Sequence, residues 1–185
     1  MKKNTVITLF VLLVILLTSA LVVHLVQQRS QARAIQTSEA ASVFANSSST
    51  AAFTDYAGNE ANLDQFLGQT LIVNSWASWA PASADELKLL TDVAKNYKDQ
   101  GVVVIAINRA EPRTTAEAFL RTLGLADEVR LIVDADDHYY KATEGFTMPE
   151  TIVYNTKGDL VEHKRGSITT AELTLILDRA LVEPK

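Results

Sequence analysis

The stretch that decides the fold is "TLIVNSWASWAPASADELKLL", Thr70 to Leu90. It opens as an apolar run, passes through small residues with two tryptophans and a proline, and continues with helical spacing. Thr70–Trp76 reads as a strand covered on both faces, because the run is apolar on both alternating sets of positions. Pro81 suits the first position of a helix, and Leu87, Leu90, Val93, Ala94 and Tyr97 then fall on one helical face. A strand-to-helix junction of small residues usually marks a working site, yet this one holds no group that could do covalent chemistry by itself.

Upstream, "FTDYAGNEANLDQFLGQ" predicts a turn at Gly58-Asn59 and a short segment that places Leu63 and Phe66 on a core. Downstream, "GVVVIAIN", Gly101 to Asn108, is a second buried strand. Thr114-x-x-Glu117 fits a capping box opening a helix through Leu123, with Phe119, Leu120 and Leu123 inward. "VRLIVD" is a third strand, and the short helical piece "HYYKATE" precedes "GFTMPE". "TIVYNTKGDLVEHK" is a hairpin turning at Lys157-Gly158. Thr169-x-x-Glu172 is a second capping box, opening a last helix that buries Leu173, Ile176, Leu177, Ala180 and Leu181. Strands alternating with helices, then a hairpin and a closing helix, describe a mixed sheet with helices on both faces, a three-layer α/β/α domain. No internal repeat is visible.

Before this domain, "MKKNT" is followed by Val6 to Val26 without a charged residue. As a helix this run would span roughly 31 Å, the thickness of a bilayer's hydrocarbon core. The competing reading is a cleaved signal peptide ending near "TSA", but apolar "LVVHLV" continues past that point and favours an uncleaved anchor. His24 is read as an interfacial residue. Lys2 and Lys3 stand against Arg29 and Arg33, so charge orients the span weakly; the expected arrangement keeps residues 1–5 inside and everything after residue 27 outside. Residues 27–52, rich in Gln, Ser and Ala, read as a flexible polar linker. "NSS" at Asn46 fits a glycosylation acceptor without further support. The domain then runs from Phe53 to Lys185.

Composition sets further bounds. All 22 acidic residues follow Thr37, while Lys2, Lys3, Arg29 and Arg33 precede it, so the folded part is more acidic than the net −5 of the chain. No basic run tracks phosphates, and nucleic-acid binding is not expected. The cysteine count is 0, which excludes disulfides, thiol catalysis and cysteine-ligated metals. His24, His138 and His163 lack ligand spacing, so neither a metal nor another cofactor is expected.

The order of elements and two motifs resemble the thioredoxin fold, and more narrowly the membrane-anchored, extracytoplasmic thiol–disulfide oxidoreductases of the TlpA/ResA type, relatives of the redoxins. The similarity runs over Phe53 to Leu181. "LIVNSWASWAPASADEL" resembles the family's strand, its W-A-x-W-C-x-x-C motif and its helix start. "GFTMPETIVYNTKGDLVEHKRG" resembles its cis-proline loop and hairpin, with Pro149 at the cis position and Gly166 before the last helix. The resemblance makes Arg109 to Val133 the extra helix and strand of this branch, and Asn74 fits it as well. Ala80 then occupies the attacking-cysteine position and Ser83 the resolving one. A methyl group cannot attack a disulfide, and a serine hydroxyl without an adjacent base is no substitute for a thiolate.

Other chemistry is weaker still. Ser83 as a hydrolase nucleophile would need His138 or His163, but His138 opens a helix and His163 is expected on a solvent-facing hairpin. Ser83 is read as a first-turn residue bonded locally. Asp85 and Glu86 are read as acids favouring the helix dipole, and Asp134, Asp136 and Asp137 as a solvated loop. Three functions stay open: a membrane-tethered, redox-inactive module that binds an extracytoplasmic polypeptide; a cysteine-free form of a thiol–disulfide oxidoreductase; and a structural subunit of an envelope complex. The first places the binding residues at Trp79, Phe146, Met148 and Pro149, with Ala80 as a poor N-cap leaving helix-start donors free and a cis Pro149 leaving the Met148 backbone free.

Overall fold

The computed structural model describes residue 13 and residues 17–31, 53–55, 60–61 and 63–182; at 53–55 and 60–61 only the backbone is described. The chain divides into two compact units, residues 1–38 and 39–185. In the first, residues 17–31 form a helix (α1), on which Leu17, Leu21, Val22, Val23 and Val26 are exposed. Among the described residues no helix is long and apolar enough to cross a membrane. The expected turn at Gly58-Asn59, residues 6–12 and 14–16 of the Val6–Val26 run, and Asn46 lie outside the described residues.

The second unit carries a seven-stranded mixed sheet in the order β2-β1-β5-β4-β3-β6-β7. Its strands are β1 (Phe53–Asp55), β2 (Glu60–Ala61), β3 (Thr70–Trp76), β4 (Val102–Arg109), β5 (Arg130–Asp134), β6 (Glu150–Tyr154) and β7 (Leu160–Arg165). Helices α2 (Ser83–Asn96), α3 (Arg113–Leu123), α4 (His138–Ala142) and α5 (Thr170–Leu181) complete it. β3 lies in the interior of the sheet, parallel to β4 and antiparallel to β6, and every one of its residues is buried.

Period-2 alternation along β3 divides the core. Ile72 and Trp76 join Leu87 and Leu90 of α2, Ala116 and Leu120 of α3, and Leu173, Ile176 and Leu177 of α5. Leu71 and Val73 join Leu63 and Phe66 of a 3-10 turn (Leu63–Phe66), Ile105, Tyr139 of α4 and Tyr154. Both faces are thus covered, which is why β3 shows no polar stripe. Each fully buried Leu- or Ile-sized side chain contributes about 1.5–3 kcal/mol. On the second face the Tyr139 and Tyr154 hydroxyls pair at 3.3 Å. Burial pushes Tyr154 up to about 12 and Tyr139 well above its ordinary value.

Three local readings are corrected. α2 begins at Ser83, two residues after Pro81, because Ala80 and Pro81 are spent in turns. α3 begins at Arg113 with Pro112 as its cap and no side-chain cap bond, so Thr114-x-x-Glu117 is not a capping box; Thr114 already lies inside the first turn. Asp134 is not part of a solvated loop. It is buried, and its carboxylate accepts from the His138, Tyr139 and Tyr140 amides at the start of α4. The capping box at Thr169 and Glu172 is present in both its bonds.

Candidate functional site

β3 ends at Trp76, where the chain makes two successive turns: the Ala80 amide donates to Ala77 O at 3.1 Å and the Ser83 amide to Ala80 O at 3.0 Å. The cap of α2 is therefore Ala82 and not Ala80, with no side-chain cap bond, and the Ser83 amide is already satisfied. Ala80 is buried. Ser83 is fully buried and its hydroxyl has no partner among the described residues, contrary to the local bond expected for it. Trp76 is buried and stacks on Phe119 at 5.4 Å, whereas Trp79 is 63% exposed.

The junction is fastened sideways. The Ser78 amide (2.8 Å) and hydroxyl donate to the Glu111 carboxylate, which also accepts from Asn108 Nδ2 at 2.7 Å. This ties the loop bearing Trp79 to the connection between β4 and α3. A concavity of about 430 Å³ adjoins it, lined by Ser78, Thr114, Thr115, Ala118, Phe119 and Thr122.

One turn into α2, Glu86 points inward while its neighbour Asp85 is exposed. Glu86 accepts from Asn74 Nδ2 (3.0 Å), the Thr151 hydroxyl (2.8 Å) and the Ile168 amide (3.0 Å). One carboxyl thereby joins α2 to β3, β6 and the approach to α5. Burial pushes its pKa up, and these bonds only partly oppose the shift.

Across β3, the chain enters β6 through the Met148–Pro149 peptide, which is cis. Here Glu150 is the organiser, with only 2% of its surface exposed. Its Oε1 accepts from the Phe146 and Thr147 amides, both at 2.9 Å, and its Oε2 pairs with His163 Nε2 at 3.0 Å. Burial pushes Glu150 up, but the bonds from His163, Thr147 and Phe146 together outweigh it and hold the carboxyl below its ordinary value. His163 therefore does not face solvent. Its side chain is 9% exposed and belongs to this loop's support.

The rest of the loop is held from both sides. The Tyr140 hydroxyl donates to Thr147 O at 2.8 Å, and the Gly166 amide donates to Pro149 O and to the Thr147 hydroxyl. A Cβ at Gly145 would lie 2.4 Å from the Tyr140 ring, so only glycine fits there. The Arg109 guanidinium lies over that ring, 3.5 Å from its centroid, and forms a two-bond pair with Asp137, whose carboxyl it holds below the ordinary range. Three residues with positive φ, Ala110, Asp137 and Glu144, surround this cluster. From it Phe146 projects, 73% exposed, with the Arg165 guanidinium 5.4 Å from its ring.

Of the residues singled out in the sequence, Trp79 and Phe146 are exposed, Met148 is half-buried, and Pro149, Ala80 and Ser83 are buried. The register pairing Ser75 with Glu150 sets the two loops at the same end of the sheet. Sequence reasoning missed Glu86, Glu111 and Glu150. A signal existed for Glu86, since Asn74 shares the Ile72–Trp76 face that α2 covers. For Glu150, its position directly after Pro149 was the only pointer.

A seven-stranded mixed sheet, a strand-to-helix junction after its interior strand β3 and a proline loop beside it define a thioredoxin-like α/β fold. Residues 42–163 match the AhpC/TSA family, and the chain belongs to it. It is 26% identical over 120 residues to the thiol-disulfide oxidoreductase ResA of Geobacillus kaustophilus (strain HTA426), covering 65% of this chain and 68% of that protein. It is 28% identical over 115 residues to ResA of Halalkalibacterium halodurans, covering 62% and 64%. A thiol:disulfide interchange protein of the thioredoxin family from Chlorobium tepidum TLS superposes with a TM-score of 0.59 at 21% identity, over 70% of this chain and 91% of that one. The resemblance to the TlpA/ResA type therefore stands, and it stands in a chain without a cysteine.

Proposed function

We propose that this chain is a membrane-tethered, redox-inactive thioredoxin-like module that holds an extended polypeptide against Trp79, Phe146, Met148 and Pro149. The observation that carries the reading is the backbone of Met148. Around it the amides of Gly145, Phe146, Thr147 and Gly166 and the carbonyls of Thr147 and Pro149 are all bonded. Met148 alone in this stretch has neither its N–H nor its C=O paired among the described residues. An extended chain can pair with such groups as an added strand, while exposed aromatic faces supply the anchoring area.

Redox inactivity follows from chemistry: with Ala80 at the attacking position there is no thiolate to form a mixed disulfide. Disulfide reduction in an insulin turbidity assay by the purified chain would overturn it. The tether rests on the uncharged Val6–Val26 run and on the exposed apolar side chains of α1. Protease added to intact cells should release a fragment beginning within residues 27–52; protection until lysis would put the domain inside.

The binding test compares Trp79→Ala and Met148→Arg with Lys157→Ala on the distal hairpin turn, using a partner polypeptide first captured on the wild-type chain. The two site variants should lose at least tenfold in affinity, with circular dichroism unchanged. Wild-type affinity in both would move the interaction elsewhere. His163→Ala is unsuitable as a control, because His163 supports the same loop through Glu150.

A further inference from the structure

We propose that α5 is a self-association face, on which a second copy of this chain packs with its own α5 antiparallel. The inference is independent of the peptide-binding reading. In the folded unit, the large apolar side chains left exposed among the described residues are Leu67, Trp79, Phe146, Leu175 and Val182. Leu175 on α5 is 65% exposed, and Val182, the extended residue that directly follows the helix, is 70% exposed. Glu172 and Arg179, seven apart, flank Leu175, so the outer stripe of α5 reads Glu172, Leu175 and Arg179 at i, i+3 and i+7, with Val182 just beyond the end of the helix. That spacing is a helix–helix seam rather than the polar outer face of a surface helix.

The charge pattern selects the occupant. Glu172 and Arg179 are equidistant from the midpoint between Leu175 and Ile176. A two-fold axis through that midpoint reverses the helix and sets Glu172 of one copy beside Arg179 of the other, twice, while the two copies of Leu175 are offset by one residue's rise, about 1.5 Å along the helix. A seam with opposite charges symmetrically disposed about an apolar centre is complementary to itself. The neighbouring surface is compatible. Glu172 pairs with Lys164 at 2.7 Å and Arg179 with Glu162 at 2.8 Å, with all four side chains at least 31% exposed. These pairs offset each other's charge and leave Asp178, which accepts from the Tyr97 hydroxyl, as the further acid on this flank. Between them and the helix lies a concavity of about 860 Å³, bounded by Leu175, Ile176 and Val182, which can receive apolar side chains of the second copy.

The absence of cysteine makes the test clean, since one introduced thiol is the only one present. Full-length Leu175→Cys in detergent micelles, under mild oxidation, should give a disulfide-linked dimer, because the two-fold leaves the two copies of residue 175 only about 1.5 Å apart along the helix direction on facing stripes. Lys88→Cys, on the exposed side of α2, reports random encounter within the micelle. Adding Glu172→Arg or Arg179→Glu to Leu175→Cys sets like charges across the seam and should slow crosslinking by roughly fivefold or more. Mixing these two charge variants, one carrying a size tag, pairs each new charge with its opposite, and mixed dimers should form faster than either variant self-links. A folding defect cannot produce that recovery. Leu175→Cys crosslinking no faster than Lys88→Cys would overturn the proposal, as would charge variants that neither slow it nor recover on mixing.

Discussion

On the α2 side of the site, Ala80 offers a methyl group, the buried Ser83 hydroxyl has no partner, and the helix start has no side-chain cap. On the proline-loop side, Glu150 alone gathers two amides, a hydroxyl and His163, while Tyr140 and the Gly166 amide close the loop from either flank. The first wall carries no thiol and is tied down from behind, by Glu111 on the Trp79 loop and by Glu86 one turn into α2, while its own rim is left without side-chain bonds; the second has a dense set of bonds at the rim itself that fix a backbone. A scaffold that only had to stay folded would have no need to hold Phe146 out and Met148 unpaired. The difference is what the proposed polypeptide-binding reading requires, a rim held in place on one side of the site.

That contrast can be broken by substitution. Glu150→Ala should have the largest effect, a loss of about 3 kcal/mol in urea unfolding, because it strands two amides and His163 in a buried site. Glu150→Gln, which keeps an acceptor for part of the set, should cost about half as much. A loss below about 1 kcal/mol for the alanine variant would mean that the loop is held by its flanks and not by Glu150.

The two carboxyls should also respond to pH in opposite senses. Glu150 sits below its ordinary 4.5 in the folded chain, so it contributes stability that is present above that value and lost as pH falls through the folded value. Glu86 sits above 4.5, so its contribution is present below that value and lost as pH rises through the raised one. In urea midpoints measured across pH 3 to 8, Glu150→Gln should flatten the acid limb and Glu86→Gln the decline on the higher side. Identical pH profiles for the two variants would erase the distinction between the walls.

The smallest expected effect is at Ser83. Its hydroxyl is buried without a partner, so Ser83→Ala should be neutral or stabilise the chain by about 0.5 kcal/mol. A loss above about 1 kcal/mol would show that the hydroxyl has a partner after all, such as a bound water.

Much of the domain was legible locally. The strand Thr70–Trp76, the Lys157-Gly158 hairpin turn and the Thr169–Glu172 capping box each rest on side chains within a few residues of one another. The same pattern at Thr114 and Glu117 failed, because Pro112 had already started the helix and a spacing of three recurs inside any first turn. Ala80 as a cap failed for a related reason: the turn that carries the motif takes up two residues before α2 begins.

The sequence by itself determined the alternation of strands and helices, the lack of a thiol and the small-residue junction, because these follow from periodicity and composition. Which carboxylates were buried, and with what, only the tertiary structure decided. The partners of Glu86 lie 12, 65 and 82 residues away, and His163 reaches Glu150 only because β7 folds back on β6. A charged side chain on a helix or hairpin looks solvated in sequence. It becomes a buried organiser only when several distant donors converge on it, and that convergence is a property of the packed sheet.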